Sequence, residues 1–183
     1  SPNGLDWFYE DGFAYTPLST IYENGTRTLW HKIERPSVLV DEYGRAEYLA
    51  MAVIDIWKEI DYPNDNHSSK SQILPLVVHK RTKILNELPV EESVDKINVL
   101  LYNEDNFIAS RDLDLSSVIF GAPDCVNFGS GAKVINSSET EEGLILTFKG
   151  EKTGLKNRDV DFAGKIIAKT NEGDLVVAYV KLY

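Results

Sequence analysis

The chain has 183 residues, 43% of them hydrophobic, with nine Tyr, seven Phe and three Trp. That suits one large or two small globular domains with a genuine core. A net charge of −10, with no basic run longer than His79-Lys80-Arg81, excludes a phosphate-backbone partner, and no apolar stretch reaches membrane-spanning length.

The chain begins Ser1-Pro2-Asn3-Gly4, without Met and without a signal-like apolar segment, as a mature or truncated product would. Trp7-Phe8-Tyr9 reads as an aromatic strand after a turn. Asn24-Gly25, between Tyr22 and Arg27-Thr28-Leu29-Trp30, is a strong hairpin signal. Trp30, Lys32 and Glu34 then alternate with Leu29, His31 and Ile33, so one of these faces meets the core.

Residues 33–50 predict a second hairpin. An apolar strand leads into the turn Glu42-Tyr43-Gly44-Arg45, and a second apolar strand continues through residues 46–57. Pro36 should hold Arg35 in extended geometry. Residues 58–71 read as a long polar loop, and Gln72–Val78 as a strand that Pro75 confines to an edge or a bulge. The charged stretch 80–95 reads as a linker, with the boundary near residue 85.

From residue 97 onward the pattern is all-β. Short apolar runs at 97–102, 115–121, 133–135, 143–148, 164–169 and 175–180 are separated by turn residues. Leu144, Leu146 and Phe148 share one face, and Asn171-Glu172-Gly173-Asp174 joins the last two strands. This spacing predicts a β-sandwich. The single cysteine, Cys125, rules out an internal disulfide and reads as a small buried hydrophobe. Asn-x-Ser/Thr triplets at Asn24, Asn66 and Asn136 are common by chance, and no glycosylation is read from them.

Glu34-Arg35-Pro36, the apolar strand, the Gly44 turn and the apolar-aromatic strand resemble the acid-bearing blade of five-bladed β-propeller glycoside hydrolases, the arabinanase/xylosidase-like enzymes of family 43. Asn64-Asp65-Asn66-His67-Ser68-Ser69 and Ile73-Leu74-Pro75-Leu76 look like the closing blade. The run from Ile97 to Gly121 is similar to immunoglobulin-like accessory repeats of bacterial secreted proteins. The resemblance implies an all-β chain: a partial propeller over residues 1–85, then an immunoglobulin-like β-sandwich over 86–183. It implies a carbohydrate substrate, cleavage of a glycosidic bond, and a periplasmic or secreted location.

On that resemblance Glu34 is the general acid, and Arg35 and His67 contact substrate. Glycoside hydrolysis needs a protonated carboxyl at the leaving oxygen and a second carboxylate across the sugar. The family supplies the second from earlier blades, so this chain by itself is expected not to turn over. The competing readings are a surface ion pair for Glu34 and Arg35 and a solvated loop histidine for His67. No cofactor is implied. Asp61, Asn64 and Asp65 could ligate calcium, but their spacing does not match the EF-hand loop and suits a turn. Two non-catalytic alternatives remain: a carbohydrate-binding module, and an interaction protein or homo-oligomer assembled through exposed strand edges.

Overall fold

The β-branched and aromatic runs separated by Asn-Gly, Tyr-Gly and Glu-Gly turns fold as strands almost throughout. The computed structural model describes residues 18–60, 69–90, 93–156 and 163–182. It is all-β, and it divides into two compact units: Glu10–Val78, and a second built on His79–Tyr183.

The first unit holds two small antiparallel sheets. Strands β1 (Ser19–Ile21) and β2 (Arg27–Leu29) form the hairpin expected at Asn24-Gly25, where Gly25 takes a φ of +80°. Strands β3 (Lys32–Val40), β4 (Ala46–Ile54) and β5 (Lys70–Pro75) form a sheet in the order β3-β4-β5. Asp41 shapes the β3–β4 turn. Its Oδ1 accepts the backbone N–H of Tyr43 and of Arg45, each at 2.9 Å, and its Oδ2 pairs with Arg45 Nε at 2.7 Å. Partial burial pushes the Asp41 carboxyl up, but these donors together hold it below its ordinary value. Pro75 ends an edge strand, where its missing N–H costs no ladder bond.

Leu49, Met51 and Val53 of β4 alternate onto one buried face. The neighbouring edge strand is the opposite case: Val38, Leu39 and Val40 are each about half exposed or more. Among the described residues neither β3 nor β5 has a partner on its outer edge.

The second unit is one seven-stranded antiparallel sheet. Its strands are β6 (Thr82–Ile84), β7 (Lys96–Tyr102), β8 (Leu113–Gly121), β9 (Ala132–Glu139), β10 (Gly143–Lys149), β11 (Ala163–Thr170) and β12 (Leu175–Lys181). They are ordered β12-β11-β8-β9-β10-β7-β6. Two single-turn helices, α1 (Ala109–Asp112) and α2 (Pro123–Val126), flank β8.

Strand β9 turns the corner between the two halves. Its first residues pair with β8 and the remainder with β10, and a register shift leaves Ile135 as the extra residue of a bulge. The sheet then curls until its ends meet. Lys80 N–H donates to Val177 O at 2.7 Å, and Lys80 bridges Ala178 in the parallel sense. The result lies between a sandwich and a barrel.

Its core follows the two-residue period. Ile97, Val99 and Leu101 of β7, Leu146 and Phe148 of β10, and Ile166 of β11 are essentially fully buried. Phe120 and Phe148 meet with ring centroids 4.8 Å apart. Gly164 makes room for this pair: a Cβ there would lie 2.6 Å from the Phe120 ring. Cys125 packs half-buried against the same core.

Two sequence expectations change. The stretch 80–95 is not purely a linker, because β6 within it belongs to the seven-stranded sheet and the units divide between Val78 and His79. Arg35 is not extended: its φ is +54° despite the following proline. Glu34 pairs with Ala52 while Ser37 pairs with Ala50, so Arg35 and Pro36 together oppose Met51 in a bulge. That geometry takes the first bulge residue left-handed, which for a non-glycine costs roughly 1–2 kcal/mol.

Candidate functional site

Glu34 lies on the exposed edge strand β3, just before the bulge. In a strand, residues two apart share a face, so Lys32 and Glu34 meet. Lys32 Nζ lies 2.6 Å from Glu34 Oε2, and Arg35 Nε lies 3.9 Å from Oε1. The hydrogen bond from Lys32 is the main cause that holds the Glu34 carboxyl below its ordinary value. Partial desolvation opposes it, and the charges of Lys32, Arg35 and Lys58 add to the lowering.

This geometry gives an ionised carboxylate at neutral pH that accepts hydrogen bonds. A general acid needs the reverse, a proton retained by burial or by a neighbouring negative charge. Arg35 has a side chain 80% exposed, with its guanidinium toward Glu34. His31, next to Lys32 in the chain, packs against Trp57 with ring centroids 4.3 Å apart and the planes tilted by 43°. Trp57 is 64% exposed, so it is a surface aromatic and not a core one.

His67, Asp61, Asn64 and Asp65 lie outside the described residues, as does Trp7. Among the described residues no group of three or more His, Cys, Asp or Glu side chains is placed to hold a metal ion. Side chains of Asn103-Glu104-Asp105-Asn106 and of Asp112-x-Asp114 serve as turn chemistry. Asn103 Oδ1 accepts the Ala109 N–H at 2.9 Å, and Asp112 Oδ2 accepts the Ile108 N–H at 2.7 Å.

A second feature had no counterpart in the sequence. An open groove of about 950 Å³ is lined by β1 with the turn after it, by β5 and by Val53 of β4. Trp30 forms part of its wall, and its indole is fixed by a polar triad. Trp30 Nε1 donates to Thr20 Oγ1 at 2.8 Å, and Gln72 Nε2 donates to the same oxygen at 2.7 Å. The Thr20 hydroxyl in turn donates to Gln72 Oε1 at 2.9 Å. Thr20 is buried, so these bonds are shielded from water. Tyr22, Asn24 and Lys70 also line the groove.

Compared with known proteins, the chain matches no family model, no curated protein and no solved structure.

Proposed function

We propose that Glu10–Val78 is the acid-bearing part of a glycosidic-bond-cleaving enzyme whose remaining strands are supplied from outside this region. The unit built on His79–Tyr183 is its accessory domain. The observation that supports this reading is the state of the β3-β4-β5 sheet. It carries Glu34 on an edge strand whose apolar side chains Val38, Leu39 and Val40 are exposed, with no strand beyond either edge among the described residues. A three-stranded sheet of this kind lacks the covering that a propeller blade receives from its neighbours.

The same reading accounts for the electrostatics. With Lys32 beside it and water around it, Glu34 is ionised and cannot donate a proton. Neighbouring blades would desolvate the carboxyl and raise its pKa, and earlier strands would supply the second carboxylate that hydrolysis requires. The enzyme so completed acts on poly- or oligosaccharides outside the cytoplasm, with Glu34 as acid and Arg35 as a donor to substrate oxygen. His67 is proposed as a further substrate contact on the family resemblance alone.

The test is turnover of aryl glycosides. The 183-residue chain should show none. A protein extended to include the missing strands should show turnover that falls by about 10²–10⁴ on Glu34→Gln, the usual contribution of general acid catalysis. Unchanged turnover in that variant would remove Glu34 from the mechanism.

The open edge of β3 also favours a second reading, assembly of copies through strand pairing. Concentration-dependent sedimentation that disappears in Leu39→Lys would support it.

A further inference from the structure

We propose that the groove between β1 and β5 is a binding subsite for a neutral oligosaccharide, separate from the Glu34 cluster. The proposal rests on the carbohydrate reading above for the class of ligand. It rests on the groove itself for the place.

Four observations favour a sugar there. The first is a fixed aromatic surface. Thr20 Oγ1, itself bonded to Gln72, accepts the Trp30 Nε1–H, so the indole needs little ordering when a ligand arrives. An aromatic side chain already held in its bound orientation loses little entropy on contact, and its face suits the C–H face of a pyranose or furanose ring. The second is the polar rim. Asn24 uses its Oδ1 to accept the N–H and hydroxyl of Thr26, at 3.0 and 2.7 Å, which leaves Nδ2 as a donor. Ser71 brings a hydroxyl. Such groups exchange hydrogen bonds with sugar hydroxyls at little net cost.

The third observation is charge. Among the described residues the lining contains one acid, Glu23, and one base, Lys70, which lies 3.6 Å from Asp55, so it presents no cluster of like charge to select an anion or a cation. The fourth is size and shape. About 950 Å³ in an open groove lies at the upper end of ligand clefts and accommodates a short chain of sugar units. Glu34 is not in the lining. It sits on β3, in the row Glu34–Ala52–Ser71, with β4 between it and Ser71. Two strand spacings separate it from Ser71, about 10 Å. The Glu34 carboxylate is therefore not part of the groove wall.

The experiment is calorimetric titration of the intact 183-residue chain with xylohexaose, cellohexaose and arabinohexaose, each tested alone. At least one should bind with a Kd near or below ~1 mM. Tyr22→Ala, an exposed rim position, should weaken that binding by about tenfold. Trp30→Ala should abolish it. If Trp30→Ala fails to fold, Tyr22→Ala alone decides. Phe128→Ala, at an 84% exposed aromatic in the other unit, should leave the affinity unchanged.

No binding of any of the three, or binding that Tyr22→Ala does not weaken, overturns the proposal. A groove that instead accepts an added peptide strand along β5 would give the first of these results. The titration measures binding without turnover, so it can succeed while Glu34 fails as an acid. Equally, Glu34 can be established in an extended protein while the groove stays empty of sugar.

Discussion

The two units have similar strand-forming sequences and very different success in burying them. In the unit built on His79–Tyr183, seven strands curl until the first and last meet, and residues such as Phe120, Phe148 and Leu146 have no exposed surface. In Glu10–Val78, the three strands β3, β4 and β5 have no partner beyond either edge among the described residues, and Val38, Leu39, Val40, Trp57 and Ile73 remain half exposed or nearly so. The difference lies in closure and not in composition. A sheet joined end to end encloses its inner face, whereas an open three-stranded sheet needs other chain segments to cover it.

The largest expected effect lies in the closed unit. Phe148→Ala removes a fully buried ring from contact with Phe120 and should cost about 3–5 kcal/mol in chemical denaturation. A loss under about 1 kcal/mol would mean that this core is less tightly packed than its geometry requires. Next is Gly121→Ala. A Cβ at Gly121 would lie 2.0 Å from the Thr153 carbonyl oxygen, so backbone must move and a loss of about 1–3 kcal/mol is expected.

The contrasting substitution is Leu39→Lys on β3. A charge on this exposed edge should change stability by less than about 0.5 kcal/mol while raising solubility. A large loss there would show that the edge is covered in solution, and would undo the comparison. Hydrogen exchange gives the same contrast without mutation: amides of β7, β10 and β11 should exchange much more slowly than those of β3.

The smallest effect is on pH. The hydroxyl of Ser116 bonded to Asp114, and Arg111 bonded to Asp112, are the main causes holding these two carboxyls below their ordinary value. A carboxyl lowered in the folded state contributes stability above its unfolded pKa, and loses it as pH falls through the folded one. The denaturation midpoint of this unit should therefore be flat from neutrality to about pH 5 and decline below about pH 4. Asp112→Asn should flatten part of that decline.

Local signals were legible in the sequence. Asn24-Gly25 and the turn before Gly44 fixed two hairpins, and the alternation in Leu144–Leu146–Phe148 marked an inward face. All-β class followed from such elements. Strand β6 was hidden because only Ile84 of its three residues is buried, and backbone pairing alone places it. The polar second half of β9, Asn136–Glu139, reads as loop because both its faces are exposed.

At Arg35 the steric bias from Pro36 lost to the demand of a bulge between fixed registers. The candidate acid was visible as a residue, but its charge state depends on Lys32 and Lys58, which a motif does not weigh. The Trp30–Thr20–Gln72 triad joins positions 52 residues apart and has no local signature at all.

The seam where the ends of the curled sheet meet also sets how the unit would bear a pull. Lys80, two residues past the unit boundary, runs alongside β12 in the same direction. Lys80 N–H to Val177 O and the Thr82 hydroxyl to Tyr179 O tie the first and last strands of the unit side by side. Tension applied between residue 79 and residue 182 would load these bonds together, in shear, and would not peel them one after another. A domain stitched in this way resists being drawn out from its ends, a useful property for any segment that tethers something else.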